Sequence, residues 1–209
     1  MKEKNTGAHV VQGLDSIAWL LNLRGDEISY NPVFFAYVVI KMDEVLFFVD
    51  AAKISSQDVQ KHLKIGECSG KAYCIKIEPY GSVVEELEKI SNSLSGHSKI
   101  WFSPTDSHAL RQNVSDDKVY LDYSPIILMK ARKNKVEVAG MRRANLRDSV
   151  ALAEFFLYAE EQVAKKVNVT ELSLGDKMKE FRSKQDLYKG LSFPSIIGFG
   201  SNGAVIHYT

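Results

Sequence analysis

Hydrophobic residues in this chain recur at two spacings, and the two alternate from the first residues to about position 130. Apolar runs rich in Val, Ile, Phe and Tyr mark strands at Val10–Val11, Phe34–Ile40, Glu44–Val49, Ala72–Ile77, Ile100–Phe102 and Val119–Leu121. Helical spacing fills the gaps. Ser16–Leu21 packs through Ile17, Trp19 and Leu20; Ser55–Leu63 starts at a Ser55 or Ser56 cap; Tyr80–Leu94 sets Val83, Leu87 and Ile90 on one stripe. Pro104–Gln112 reads as a further helix with proline in its first turn. The runs at 34–40 and 44–49 flank Lys41-Met42-Asp43, the turn of an antiparallel hairpin. About six strands interleaved with helices predict an α/β domain with a mixed sheet, because the hairpin is antiparallel while the other connections can cross over.

Past Pro125 the pattern changes. Lys130-Ala-Arg-Lys-Asn-Lys135 is a basic connector without interleaved aromatics, which makes it a solvated linker or helix start rather than a nucleic-acid patch. A long helix follows to about Val163, with Leu152, Phe155, Phe156, Ala159 and Val163 on one stripe. Thr170 caps a second helix carrying Leu174, Met178 and Phe181. From Leu191 to Tyr208 an apolar run, a Gly-rich turn and an alternating segment predict a terminal strand pair. The chain is accordingly divided into residues 8–132 and 133–209, the second reading as the cut N-terminal part of a larger domain: two wide apolar helix faces with too little sheet to cover them.

Composition narrows the function classes. With 27 basic and 26 acidic side chains the net charge is +1, which gives no footprint for a phosphate backbone or a membrane surface. No run approaches the ~18 apolar residues of a membrane helix, and Met1-Lys-Glu-Lys-Asn-Thr-Gly7 is too polar for a secretory signal. Cys68 and Cys74 fit neither a CxxC motif nor a disulfide framework; two reduced thiols in a cytoplasmic protein are expected.

Few residue patterns carry chemistry on their own. Gly198-Phe-Gly200-Ser-Asn-Gly203 satisfies GxGxxG, but β-formers rather than a helix follow it, so it reads as a tight loop between strands. No two of His9, His62, His97, His108 and His207 sit at metal-ligand spacing. Arg24 is expected to cap a helix C-terminus, the alternative being a carboxylate ligand, and Arg142 and Arg143 to pair with Asp148. His207, beside Tyr208 and just after the glycine loop, is either a hydrogen-bonded structural histidine or a functional one.

Several stretches together resemble the Xaa-Pro aminopeptidases (aminopeptidase P) of the cytosolic three-domain form. They are Asp15-Ser-Ile-Ala-Trp-Leu-Leu-Asn-Leu-Arg-Gly25, Asn31-Pro-Val-Phe-Phe-Ala-Tyr37, Glu137-Val-Ala-Gly-Met-Arg-Arg-Ala-Asn-Leu-Arg-Asp148, Val169-Thr-Glu-Leu172 and Leu191-Ser-Phe-Pro…Asn202-Gly-Ala-Val-Ile-His-Tyr208. The resemblance implies a creatinase/prolidase N-terminal-like α/β domain over 8–132, followed by the truncated start of a pita-bread α+β catalytic domain over 133–209. It implies a metallopeptidase that releases an N-terminal residue preceding proline, using a hydroxide activated by two divalent metal ions, most often Mn2+. His207 matches the substrate-binding histidine of the family, whereas the metal ligands would lie beyond Thr209, so this chain alone is expected to be inactive. Peptides with an Xaa-Pro N-terminus and a second copy of the full-length chain are the implied partners, with no nucleic acid and no membrane. Asn145 departs from the family, where many members carry His. A non-catalytic peptide- or protein-binding module of the same creatinase and pita-bread type is the alternative.

Overall fold

The computed structural model describes residues 1–67 and 74–208. The chain forms two compact units, Met1–Arg132 and Lys133–Thr209, each built around its own contacts.

The first unit is a six-stranded mixed sheet of β1 (Thr6–Val11), β2 (Tyr37–Lys41), β3 (Glu44–Val49), β4 (Cys74–Pro79), β5 (Lys99–Phe102) and β6 (Val119–Leu121), in the order β4-β3-β2-β1-β5-β6. β2 runs antiparallel to both β1 and β3, while β4 lies parallel to β3, β5 to β1 and β6 to β5. The predicted hairpin forms, with Val38 opposite Phe47 and Val39 opposite Leu46. Successive strand residues point to opposite faces, so neighbours in sequence serve different cores. Val38 and Phe47 pack with Ile17 and Leu21 of α1 (Leu14–Leu21), Leu63 of α2 (Gln57–Leu63) and Ile126 of α5 (Pro125–Ala131). Val39 and Phe48 pack on the other face with Val83, Leu87 and Ile90 of α3 (Val83–Ser93) and Leu110 of α4 (His108–Arg111). Phe47 and Phe48 are wholly buried, and each such ring contributes ~2–3 kcal/mol of transfer free energy.

The largest polar side chain buried in this core is that of His9. His9 alternates with Ala8 and Val10 on β1, and its Nδ1 lies 3.1 Å from the Trp101 carbonyl and its Nε2 2.8 Å from Ser124 Oγ. Ser124 also accepts the Ile126 amide as the N-cap of α5, so the imidazole ties β1, β5 and the first turn of α5 together. Burial pushes the His9 imidazole below its ordinary pKa, with the Trp101 carbonyl acting the other way.

Several expectations give way here. The helix expected over Pro104–Gln112 is only His108–Arg111, because Asp106 folds back to accept the Ser103 amide at 2.7 Å and holds the preceding residues in a turn. α5 was not legible in the connector; Ser124 as cap with Pro125 after it starts a helix that runs into the basic residues. Cys74 is disulfide-bonded, which overturns the expectation of a reduced thiol there: residue spacing and composition alone do not fix a thiol's oxidation state. Cys68, with Ala72 and Tyr73 of the expected fourth strand, lies outside the described residues.

The second unit is two helices and an irregular tail. α6 (Lys135–Ala164) and α7 (Glu171–Ser183) each start with a capping box, Asn134 with Glu137 and Thr170 with Ser173, a device that contributes ~1 kcal/mol apiece. Ala151 and Phe155 of α6 and Gly175 and Met178 of α7 are buried. Asp148 is clamped by Arg182, through Nε at 2.6 Å and Nη2 at 3.1 Å, rather than by Arg142 or Arg143. The planar guanidinium from α7 meets both carboxylate oxygens, whereas Arg142 and Arg143 lie six and five positions before Asp148, spacings that do not share a helix face. The expected terminal strand pair is absent among the described residues: Gly200–Ala204 is a 3-10 turn, and His207 and its neighbours are irregular. A strand needs a partner for its amides and carbonyls, and this unit offers only helices.

Candidate functional site

The tail from Phe199 to Tyr208 is organised by one carboxylate. Glu171 is the first residue of α7, where the helix dipole favours an anion. Because Thr170 and Ser173 satisfy each other across the capping box, at 3.1 Å and 2.9 Å, the Glu171 side chain is free to reach outward. It accepts the Phe199 amide at 2.6 Å, the Asn202 side-chain amide at 3.1 and 3.2 Å, and the Tyr208 hydroxyl at 2.5 Å. The Asn202 amide also reaches the Tyr208 oxygen at 3.0 Å, which closes the network. These donors, Tyr208 first, hold the Glu171 carboxyl below the usual carboxylate range, and Glu171 in turn raises the Tyr208 phenol.

The glycine motif serves this turn and nothing resembling a dinucleotide fingerprint. Gly200 has φ +58°, and a side chain on Gly198 would stand 2.9 Å from the Gly203 backbone. Two chain segments cross there at a separation that only glycine allows. His207 follows, exposed and at φ +56°, directly before the anchored Tyr208. The histidine is therefore displayed at the end of a turn, not carried on a strand. Its neighbour holds the backbone while the imidazole stays accessible.

The remaining candidates resolve structurally. Arg24 donates to the Ala18 and Leu23 carbonyls at 2.9 and 2.8 Å, the capping role of the two that the sequence left open. His108 is an exposed residue at the start of α4. Among the described residues no group of three or more His, Cys, Asp or Glu side chains could hold a metal ion. Glu171 is the residue that sequence reasoning did not single out. Its signal is an acid directly after a threonine cap, and its partners sit 28 to 37 residues away, beyond any local pattern.

Comparison with known proteins bears on both units. Residues 1–137 match the Creatinase/Prolidase N-terminal domain family, and residues 139–209 match metallopeptidase family M24. Xaa-Pro aminopeptidase ApepP of Drosophila melanogaster is 44% identical over 208 residues, which is 100% of this chain and 33% of the relative. Xaa-Pro aminopeptidase 1 of Dictyostelium discoideum is 41% identical over 211 residues, 100% of this chain and 32% of the relative. Among solved structures, an X-prolyl aminopeptidase of Caenorhabditis elegans, described as a cytosolic enzyme with a di-nuclear active site, has a TM-score of 0.84 at 30% identity over 97% of this chain and 34% of its own. Prolidase from Pyrococcus furiosus shares the fold at TM-score 0.57 and 14% identity, covering 100% of this chain and 54% of its own. The chain thus spans about a third of the length of the curated relatives it matches.

Proposed function

Because the chain belongs to the Creatinase/Prolidase N-terminal domain family and continues into a segment of metallopeptidase family M24, we propose that it forms part of an Xaa-Pro aminopeptidase. In this reading residues 8–132 are the creatinase-like middle domain and 133–209 the opening of the catalytic domain. The observation that carries it is the unbroken succession of the two family segments along one chain, in the order of relatives named for that activity. The substrates are peptides with proline in second position, and the intact enzyme is a cytoplasmic homodimer.

Two divalent metal ions, Mn2+ by family resemblance, would be held by residues of the intact enzyme outside this chain, where they would supply Lewis-acid activation of water. The described residues hold no side-chain set that fits them, so no chemical step is assigned to this chain. Its contribution is positional. The Glu171 network fixes the backbone at Tyr208, and His207 offers an imidazole that hydrogen-bonds the bound peptide.

The experiment is a pair of assays with an Xaa-Pro peptide and added Mn2+. The protein extended to the full length of its relatives turns the peptide over, and the 209-residue chain does not exceed the uncatalysed background. No turnover by the extended protein would favour the binding-module alternative.

A further inference from the structure

The first unit contains a crevice at one end of its sheet. β3 and β4 are parallel neighbours, and the chain leaves them toward opposite faces of the sheet: β3 leads to α2 on one side, β4 to α3 on the other. In open α/β sheets the gap outside the carboxyl ends of two such strands is where ligands bind. A cavity of about 780 Å³ lies at that place, lined by Val49 at the end of β3 with Asp50 and Lys53 after it, by Glu78 and Pro79 at the end of β4 with Tyr80 after it, and by Phe35 beside them.

The lining has a definite chemistry. Phe35 and Tyr80 are 42% and 38% exposed, and the Tyr80 ring is held by stacking on Tyr37 at 5.1 Å. The Glu78 carboxylate makes no hydrogen bond or ion pair among the described residues, and Asp50 uses one oxygen to accept the Ala52 amide. Lys53, the cation of the lining, is already engaged by Glu27 at 2.7 Å and the Phe35 carbonyl at 3.2 Å. The crevice therefore presents the Tyr80 ring, a Phe35 ring already faced by the Lys53 ammonium at 5.8 Å, and the carboxylates of Asp50 and Glu78, of which Glu78 has, among the described residues, only a charge interaction with Lys76.

We propose that this crevice is a binding site for a small organic cation: a protonated amine or guanidinium carried on an apolar or aromatic body. The body lies against Phe35 and Tyr80, and the charge meets Glu78, Asp50 and the aromatic faces.

The test titrates phenethylammonium chloride into the isotope-labelled 209-residue chain and follows backbone amide shifts. Saturable shifts at residues 50–53 and 78–80 are expected, weakened about tenfold in each of Glu78→Gln and Tyr80→Ala, with thermal midpoints close to the parent. The same ring carrying a carboxylate, 3-phenylpropionate, is expected to leave those amides unmoved. The proposal fails if there is no saturation by ~10 mM, if the anion does as well as the cation, or if both folded variants bind undiminished.

Discussion

The Tyr208 hydroxyl lies 2.5 Å from the Glu171 carboxylate, although the two residues are 37 positions apart. That one contact sets where His207 is displayed, because the histidine directly precedes the anchored tyrosine. Glu171→Gln keeps the length of the side chain but loses the charge that draws three donors together. The Tyr208 phenol, raised chiefly by its hydrogen bond to that carboxylate, is then expected to titrate closer to its ordinary 10.0, and the Phe199 amide to exchange faster. Tyrosine ring shifts followed against pH, with amide exchange on the same samples, check both; an unmoved phenol would mean that the carboxylate does not organise the turn.

His207→Ala separates function from structure. In the protein extended to full length, loss of an imidazole that contacts the bound peptide is expected to cut turnover ~10²–10³-fold with little change in thermal midpoint. The side chain is exposed, so stability has little reason to respond. A variant that melts early yet turns over normally would assign His207 to structure instead.

The clamp between Asp148 and Arg182 holds α6 to α7 at partly exposed positions. Arg182→Ala is expected to destabilise residues 133–208 by ~0.5–1 kcal/mol, the range of a well-aligned but solvent-screened pair. Hydrogen exchange along α7 would register it, and Arg142→Ala should leave the same amides unchanged.

His9 makes stability depend on pH. Its folded pKa is depressed below 6.5, so above 6.5 the ring is neutral in both states and stability is complete. As pH falls below 6.5 the unfolded chain takes up a proton that the folded chain refuses, and stability declines until the folded pKa is reached. His9→Gln is expected to lower stability at pH 8 by ~1–3 kcal/mol through imperfectly replaced hydrogen bonds while flattening this decline. Chemical denaturation between pH 8 and 5 measures both effects.

Asp106 works in the opposite direction. Burial raises its carboxyl from 3.8 to about 6, against the pull of the Ser103 amide. Above pH 6 it is ionised in both states and burdens the fold; between 6 and 3.8 the folded state binds the proton first and stability rises. Asp106→Asn preserves the carbonyl that accepts the Ser103 amide. It should stabilise the protein at pH 8 by on the order of 1 kcal/mol, the full shift being discounted for partial exposure, and lose that advantage below pH 4. An unchanged midpoint at pH 8 would show that the carboxylate carries no burial cost.

Much of the first unit was determined by local sequence. Period-two apolar runs flanking Lys41-Met42-Asp43 require a hairpin, and Val83, Leu87 and Ile90 require one buried helix face, because these depend only on the direction in which successive side chains point. The capping of α7 by Thr170 and of the α1 end by Arg24 is local in the same way. What the tertiary structure decided involves partners distant in sequence. Alternating residues near His207 are compatible with a strand, but without a neighbouring strand their backbone groups stay irregular and the segment is fixed by Glu171 instead. Asp148 pairs with Arg182 of α7 through both its oxygens, while Arg142 and Arg143, nearer in sequence, sit off its helix face. The crevice between β3 and β4 exists because two parallel strands send their chains to opposite faces, a relation between elements that no single segment of sequence contains.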